Sequence, residues 1–399
     1  MSEPVWIAGG GVICGIGATL PACVEAFSRM QPGMEEVQYL HTVHRGVFPV
    51  AEVKAGNATL AAQAGMPAHI SRTALLSKIA AQEAWDSTGL GDLLQYRVGF
   101  VSANTVGGMD KTEDFFAEYL QDPTKGHLQQ VVHHECGSVT ELVADAMGIR
   151  HQVATISTAC SSGANALMYG ARLIRNNIVD IVIAGGTDAL TRFTLNGFNT
   201  LMILDQQPCR PFDDTRTGLN LGEGAGYVVL VSDVIRKQLP NAPWCRLSGY
   251  ANTSDAYHQT ASSPDGTGNY LAMKGALDMS GLQPKDIAYI NLHGTGTQNN
   301  DSSEGKAIER LFAPNYPAVS STKSFTGHTL GASGGIEAVF SALAVQQGII
   351  YPNARFATPM KEWPVAPATV FSSGNKLSHV MSNSFGFAGN CSSLVFSKE

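Results

Sequence analysis

The chain repeats one pattern of apolar strands, glycine-rich turns and amphipathic helices. The segment Trp244–Tyr250 resembles the opening strand, and Ile287–Leu292 stands where Arg97–Ala103 stands in the first copy. Repetition at a fixed order of elements indicates a duplicated supersecondary unit. We therefore predict an α/β fold with two similar halves, residues 1–240 and 241–399, and a ligand site at their junction.

Length and charge limit the classes of function. With 399 residues the chain is too long for one ordinary core, so one very large domain or two fused halves are expected. The net charge of −7 gives no reason to expect nucleic-acid binding, while a local basic patch for an acidic partner stays open. The first residues lack the pattern of a secretory signal, and no apolar run is long enough to span a bilayer.

Cysteine and glycine patterns exclude two common kinds of site. The seven cysteines are odd in number and scattered, with no pair at metal-ligand spacing, so we expect a reducing cytoplasm and no metal centre. The glycine-rich turn after the opening strand lacks the GxGxxG fingerprint, so we expect no dinucleotide cofactor.

A candidate nucleophile lies at the join between a short apolar strand and an amphipathic helix. Val153–Ile156 has the pattern of a buried strand, and Gly163–Ile174 carries apolar residues at helical spacing. Cys160 stands between them, where the helix dipole and free N–H groups favour a thiolate. Its neighbours are small and leave room for a substrate carbonyl. The alternative is that Cys160 is a buried small apolar residue.

Two histidines occur in the same setting as this cysteine. His293 and His328 each lie in a glycine- and threonine-rich turn after an apolar strand, and Lys323 lies in the same turn as His328. Such turns let backbone and substrate approach closely. Because equivalent strands of the two halves precede these turns, we predict that Cys160, His293 and His328 converge.

A cysteine with two histidines fits two kinds of chemistry. A cysteine protease pairs its thiol with one histidine, and the separation of Cys160 and His293 falls within the papain-like range of about 130–150 residues. The paired cysteines and aromatic residue of that signature are absent here, and a protease leaves His328 and Lys323 without a role. Two imidazoles that donate to one oxygen fit stabilisation of an enolate, such as the one formed when a malonyl thioester loses carbon dioxide.

Five ordered motifs resemble those of the β-ketoacyl-acyl-carrier-protein synthases of the Cys-His-His type. They are Thr158–Gly163, Pro211–Asp213 with Arg216 and Gly222–Gly226, His293–Thr297 with Asp301 and Glu304, Lys323–His328 with Gly331, Ala332 and Glu337, and Asn383–Gly389. The resemblance implies the thiolase fold, with five layers in the order α-β-α-β-α. The activity it implies is decarboxylative Claisen condensation of an acyl thioester with malonyl-acyl carrier protein through an acyl-cysteine intermediate, in fatty acid, polyketide or aryl polyene chain elongation.

The resemblance also implies roles for residues at matching positions. Cys160 would be the acylated nucleophile, and His293 and His328 would stabilise the enolate. Lys323 would orient and polarise the His328 side of the site, and Glu337 matches a buried acid that supports this loop. The remaining matches are an oxyanion hole formed by the N–H groups of Cys160 and Phe387, a gate at Phe387, a pantetheine tunnel lined by Thr260, Thr295 and Thr297, and an acyl pocket at Val106.

An acyl carrier protein is the partner that the resemblance implies. Substrates would arrive on its phosphopantetheine, so no separate cofactor is expected. Because carrier proteins are typically acidic and this chain carries −7, binding needs a local basic patch near the tunnel mouth. We predict Arg72 and Lys125 as docking residues, with ordinary solvated charges as the alternative.

The chain departs from the family pattern at several positions. Asn165 replaces a frequent histidine, Gly296–Gln298 replaces Ser-Thr-Pro, and Ala388–Cys391 replaces paired glycines followed by Thr-Asn. Residues 109–136 match the housekeeping enzymes poorly. These departures favour a specialised pathway, and they predict either a homodimer or a heterodimer with a chain-length-factor-like homologue.

Two other functions stay open. One is a non-catalytic, chain-length-determining partner, against which the retained Cys160, His293, His328 and Lys323 argue. The other is a thiolase-type enzyme that uses coenzyme A, with Cys391 as a second catalytic thiol; the setting of the two histidines argues against it.

Overall fold

The computed structural model describes residues 3–399, and ten strands in this range form a continuous sheet. They are β1 (Trp6–Cys14), β2 (Val98–Ala103), β3 (Gln152–Ile156), β4 (Ile181–Asp188), β5 (Gly224–Val231), β6 (Cys245–Ser254), β7 (Tyr289–Asn291), β8 (Ala318–Ser320), β9 (His379–Phe385) and β10 (Asn390–Ser397).

Twelve α-helices connect or cover the strands of the described chain. They are α1 (Leu20–Ser28), α2 (Asn57–Ala64), α3 (Arg72–Asp86), α4 (Met109–Gln121), α5 (Cys136–Met147), α6 (Ser162–Arg175), α7 (Arg192–Thr200), α8 (Asp233–Arg236), α9 (Thr267–Ser280), α10 (Gln298–Phe312), α11 (Lys323–Thr326) and α12 (Ser333–Gln347). Short 3₁₀ turns cover Leu93–Gln95, Leu128–Val131, Pro284–Asp286, Leu330–Ala332 and Phe387–Gly389. Among residues 3–399, none of the helices has the length and apolar character that a membrane crossing requires.

The same arrangement of five strands occurs twice in the sheet. The spatial order is β3-β2-β4-β5-β1 followed by β6-β10-β9-β7-β8, so the second set mirrors the first strand for strand. In each set the strand second from the outer edge, β2 or β7, runs parallel to both neighbours. The two pairs nearest the junction are antiparallel in each set. The sets meet where Trp6 and Ile7 of β1 pair with Arg246 and Cys245 of β6. This order is what a duplicated unit produces.

Helices cover both sets of strands and fill the space between them. The helix α3 packs on β1, β4 and β5, while α9 packs on β6 and β10. Between the two sets, α6 and α12 pack against each other and against β4 and β9. Three apolar cores separate these layers, and the largest surrounds α6 and α12. The predicted order of layers, α-β-α-β-α, is therefore confirmed.

The elements lie close to the positions that the sequence pattern predicts, with two differences. The strand β3 is half-buried along its whole length rather than buried, because it lies at the edge of the sheet. The apolar run from Ile178 to Ala184 predicts a strand, whereas β4 begins at Ile181. The reason is the end of α6, where Asn177 adopts a φ of 54° and the N–H of Ile178 still bonds to the carbonyl of Leu173. The polar pattern of residues 110–134 predicts a helical excursion over the surface. This excursion contains nearly all of α4 and the turn Leu128–Val131, and no residue of α4 is buried.

Candidate active site

A tight turn presents Cys160 at the N-terminal end of α6. Ala159 adopts a φ of 52°, a left-handed conformation that is uncommon for residues other than glycine. The Ser162 hydroxyl accepts the N–H of Thr158 and donates to the carbonyl of Ala159, which closes the turn. The Cys160 thiol is buried and faces the backbone N–H groups of Phe387 and of Cys160 itself. The turn therefore holds the thiol beside two backbone donors.

The pKa of Cys160 moves in the direction opposite to the one expected from the helix terminus. Burial raises the pKa of the thiol to about 11, although Lys323 and the two backbone N–H groups lower it. Desolvation therefore outweighs the helix end in the free protein. The thiol is protonated at neutral pH, and it has to lose its proton as it attacks.

The two histidines meet the thiol from the second half of the chain. Sγ of Cys160 and a ring nitrogen from each of His293 and His328 all lie within 4.8 Å of one another. The two rings are perpendicular, with centroids 5.6 Å apart. The predicted convergence of these three residues is therefore confirmed.

Hydrogen bonds identify the tautomer of each ring. Nδ1 of His328 accepts the N–H of Leu330 at 3.0 Å, so its proton sits on Nε2. Nδ1 of His293 lies 3.3 Å from the ammonium of Lys323, which can only donate, so this ring also carries its proton on Nε2. Burial and the charge of Lys323 lower the pKa of both rings, to about 3 for His328. Both imidazoles are therefore neutral, with one N–H donor each.

A buried ion pair supports this arrangement. The Lys323 ammonium donates to the carbonyl of His293 at 2.7 Å and to a carboxylate oxygen of Glu337 on α12. Burial raises the pKa of Glu337 to about 7, with Lys323 acting in the other direction. With Nδ1 of His293 as the remaining acceptor, all three ammonium hydrogens have a partner. Lys323 therefore orients the ring of His293, and not that of His328 as the resemblance implies. Nδ1 of His328 is contacted instead by the N–H of Leu330 and the hydroxyl of Ser333.

Two further acids anchor the loops of the site. Glu304 accepts the N–H groups of His293 and Gly294 at 2.9 and 2.8 Å. Asp188, at the end of β4, accepts the N–H groups of Thr105 and Gly331 at 2.9 and 2.7 Å. Motif matching misses Asp188, and its one signal in the sequence is an acid two residues after the glycine pair Gly185-Gly186 of an apolar strand. Burial raises the pKa of Asp188 to about 6 and that of Glu304 to about 7.

A cavity of about 270 Å³ leads to the thiol. Its lining includes the residues predicted for the tunnel and the gate, together with apolar side chains from the first half: Cys160, His293, His328, Thr260, Thr295, Thr297, Phe387, Phe198, Ile203 and Leu219. The ring of Phe387 stacks on Phe198 with centroids 5.9 Å apart. Phe198, which sequence reasoning missed, therefore holds one position of the predicted gate.

The predicted acyl-pocket residue lies beside this cavity. Val106 is buried in an apolar cluster with Leu190, Leu195 and Leu330, and Phe198 packs against the same cluster. The backbone N–H of Val106 is held by Asp188 at 3.1 Å. Val106 therefore belongs to the same apolar cluster as Leu219 and Ile203, which line the cavity.

The prediction of Arg72 as a docking residue is wrong. Its guanidinium is buried, forms a bidentate ion pair with Glu223 and donates to the carbonyl groups of Val53 and Ala55. A carrier protein has no access to this charge. Lys125 differs, since its side chain is 73% exposed with only a loose contact to Asp122 at 3.8 Å.

The three reactive groups also have the spacing of metal ligands. A thiolate and two imidazoles are typical ligands of zinc, and Cys160, His293 and His328 are the one such group found among residues 3–399. The ammonium of Lys323 beside His293 disfavours a second cation there. The arrangement suits a reacting carbonyl better than a metal ion.

Comparisons with known proteins give one consistent result. The family model described as "Beta-ketoacyl synthase, N-terminal domain" matches residues 42–233, and "Beta-ketoacyl synthase, C-terminal domain" matches residues 244–357. A 3-oxoacyl-[acyl-carrier-protein] synthase 2 from Staphylococcus aureus (strain N315) is 32% identical over 408 residues, which cover 100% of this chain and 99% of that protein. A protein of the same description from Rhizobium meliloti (strain 1021) is 36% identical over 316 residues, covering 75% of this chain and 74% of its own.

Solved structures agree with these relatives. The structure titled "The ishigamide ketosynthase/chain length factor" has a TM-score of 0.92 at 26% identity and covers 100% of both chains. A ketosynthase (ApeO) in complex with its chain length factor (ApeC) from Xenorhabdus doucetiae has a TM-score of 0.85 at 29% identity, with coverage of 100% and 98%. The thiolase fold that the resemblance implies is thereby confirmed. With both family models and full-length relatives in agreement, the chain belongs to the β-ketoacyl synthase family.

Proposed function

We propose that this protein is a 3-oxoacyl-[acyl-carrier-protein] synthase in which Cys160 accepts the acyl chain. The thiol attacks the carbonyl of an acyl thioester, and the N–H groups of Cys160 and Phe387 bind the developing oxyanion. The carbon–sulfur bond to the carrier then breaks, and the carrier thiol leaves with the proton. The observation that supports this best is the convergence of the thiol with two neutral imidazoles inside 4.8 Å.

The histidines act in the second step. Their two Nε2–H groups donate to the thioester oxygen of a malonyl group, and the negative charge of the enolate develops there as carbon dioxide leaves. The enolate carbon then attacks the acyl-Cys160 thioester, forms the new carbon–carbon bond and releases the thiolate, which regains a proton. Neutral rings suit this step because their pKa values lie well below 7.

Lys323 and Glu337 keep His293 in the required tautomer. A cationic Lys323 beside Nδ1 of His293 both fixes the proton on Nε2 and lowers the pKa of the ring. The carboxyl of Glu337 holds the ammonium at this position. These two residues are therefore positioning residues of the reaction.

The substrates are proposed to reach the thiol on the phosphopantetheine of an acyl carrier protein, and no separate cofactor is needed. Thr260, Thr295 and Thr297 line the cavity in front of Cys160 and offer hydroxyl groups to a pantetheine amide. The relative from Staphylococcus aureus is named a 3-oxoacyl-[acyl-carrier-protein] synthase, which supports this partner. Lys125 remains the candidate docking residue.

One observation disfavours the thiolase alternative. Cys391 is buried, and its thiol lies 3.2 Å from the side-chain oxygen of Asn269. It does not line the cavity that contains Cys160. A second catalytic thiol would have to face the same substrate, so Cys391 is a packing residue.

We also propose a dimer, formed by two copies or with a chain-length-factor-like homologue. The strand β3 lies at the end of the strand order within the described chain, so one side of its backbone is available to a second chain. Apolar side chains on the nearby excursion are exposed: Phe116, Tyr119, Leu120, Leu128 and Val132. A reducing cytoplasm is the proposed location, because all seven cysteines are free.

The test of this function is a two-step assay on the purified protein. Incubation with acyl-carrier protein should add one acyl group to the intact mass, at Cys160 by peptide mapping. Malonyl-carrier protein should then give carbon dioxide and a 3-oxoacyl carrier. Cys160→Ala is the control and should take up no acyl group. An acyl adduct on another residue would contradict the proposal. So would the absence of product from the wild type, both alone and mixed with a chain-length-factor-like homologue.

A further inference from the structure

A cluster of amides joins the two segments that carry the oxyanion-hole donors. The side-chain oxygen of Asn390 lies 2.7 Å from the hydroxyl of Ser161, 3.0 Å from Nδ2 of Asn165 and 2.6 Å from Nδ2 of Asn252. Ser161 directly follows Cys160, and Asn390 ends the turn that contains Phe387. One amide oxygen therefore connects the nucleophile turn to the Phe387 turn.

The second amide ties the same cluster to the sheet. Nδ2 of Asn165 also donates to the hydroxyl of Thr158 at 2.8 Å. Its side-chain oxygen accepts from Ser392 at 2.9 Å and from Asn252 at 3.1 Å. The cluster thereby spans the turn before α6, the first helical turn, and the adjacent strands β6 and β10. Asn165 and Asn390 are half-buried, Asn252 is exposed, and a hydrogen-bond network of this kind restricts the groups it connects.

The turn around Phe387 packs directly against the turn that carries Cys160. The N–H of Gly386 donates to the carbonyl of Asn390 at 2.9 Å, which closes the turn. A Cβ at Gly386 would lie 3.2 Å from the nitrogen of Cys160, so the two segments are in direct contact. The position of the Phe387 N–H relative to the Cys160 N–H is thus set across this contact, with Asn390 as its side-chain link.

We infer that Asn390, acting with Asn165, is a positioning residue that sets the geometry of the oxyanion hole. This inference rests on the proposed role of Cys160. The two asparagines bond to each other, and each also bonds to the turn that carries Cys160. Loss of one oxyanion donor costs on the order of 10²–10³-fold in rate, so a displaced donor should cost less but remain measurable.

The experiment compares two reactions of the same variant. Asn390→Ala should lower the first-order rate constant for acylation of Cys160 by about tenfold at saturating acyl-pantetheine thioester, with KM within about twofold of the wild type. Decarboxylation of malonyl-pantetheine, which the histidines support, should stay unchanged. Asn165→Ala should show a loss in the same reaction, and the double variant should be no slower than Asn390→Ala, because the two residues act as one unit.

A matched control separates positioning from general stability. Asn375→Ala removes an amide that bridges Gly348 and Ser372 far along the chain, and both reactions should remain normal. Equal acylation rates in wild type and Asn390→Ala would overturn the inference, as would parallel losses of both reactions with a lower unfolding midpoint. If Asn390→Ala does not fold, Asn165→Ala gives the same comparison. Wild-type protein that is never acylated at Cys160 would instead overturn the proposed function.

Discussion

The two halves of the sheet share one strand order, yet they deliver different groups to the site. In the first half, β3 leads to α6 through the tight turn that holds Cys160. In the second half, the equivalent connection from β8 to α12 is longer and contains α11 and a 3₁₀ turn. The added chain carries Lys323 and His328. One half thus supplies a covalent attachment point, and the other supplies the groups that stabilise charge.

The loops after the equivalent strands β2 and β7 show a similar division. Asp188 at the end of β4 holds the loop after β2, where Val106 lies, while Glu304 on α10 holds the loop after β7, where His293 lies. The same task, binding backbone N–H groups with a buried carboxylate, is done from different elements. The duplication therefore preserved the framework of the sheet while the anchors of its loops diverged.

The halves meet at the N-terminal ends of two equivalent helices. A Cβ at Gly163 on α6 would lie 2.3 Å from the nitrogen of Gly335 on α12. Only glycine allows this approach, because any side chain would collide with backbone. The close crossing brings the thiol of one half to the imidazoles of the other, so neither half forms the site alone.

The largest test of this comparison separates the chemistry of the halves. His328→Ala should lower decarboxylation of malonyl-carrier protein by about 100-fold, because one of two donors to the enolate is lost, while acylation of Cys160 continues. Cys160→Gln should abolish condensation and leave decarboxylation in place. Carbon dioxide release and intact acyl-enzyme mass measure the two activities. Undiminished release in His328→Ala would mean that the halves do not divide the work in this way.

The second prediction concerns the ion pair of the second half. Glu337→Gln leaves the buried ammonium of Lys323 without its carboxyl partner, and the free energy of unfolding should fall by about 3 kcal/mol. Denaturant unfolding followed by fluorescence measures the change. Glu309→Gln, an exposed acid on α10, is the control and should stay within about 0.5 kcal/mol of the wild type. Equal stability of both variants would remove Glu337 from the supporting structure.

Sequence alone predicted the reacting groups and missed what surrounds them. Cys160 and His293 could be identified because each follows an apolar strand in a turn of small residues, a local pattern. The raised pKa of Cys160 could not be predicted, because the segments that bury the thiol are distant in the chain. The effect of burial on the pKa outweighs that of the helix end. Arg72 fails for the same reason, because its partner Glu223 is 151 residues away in the chain. The division at residues 240 and 241 stays a prediction.

The third prediction uses the pKa of the thiol in the first half. Because the reactive form is the thiolate and burial raises the pKa of Cys160 to about 11, alkylation should accelerate about tenfold per pH unit between pH 7 and 10. The rate of iodoacetamide labelling of Cys160, followed by peptide mass, measures this slope. Cys160→Ser identifies the labelled site. A rate that levels off near neutral pH would show a thiolate already present, and the helix terminus would then outweigh burial.

The smallest expected effect lies on the surface of the first half. Lys125 is exposed on the segment between α4 and α5. Its charge is the remaining candidate for docking an acidic carrier protein. Lys125→Glu should raise KM for acyl-carrier substrates by about twofold, since exposed charge pairs contribute about 1 kcal/mol or less. The increase in KM should be larger at low salt, where charges are screened less and interact over longer distances than in physiological buffer. Pantetheine-linked substrates should react normally. Lys285→Glu, an exposed lysine of the second half, is the matched control. Equal increases in KM for both variants would indicate a general charge effect, and carrier docking would then have to be sought on other residues.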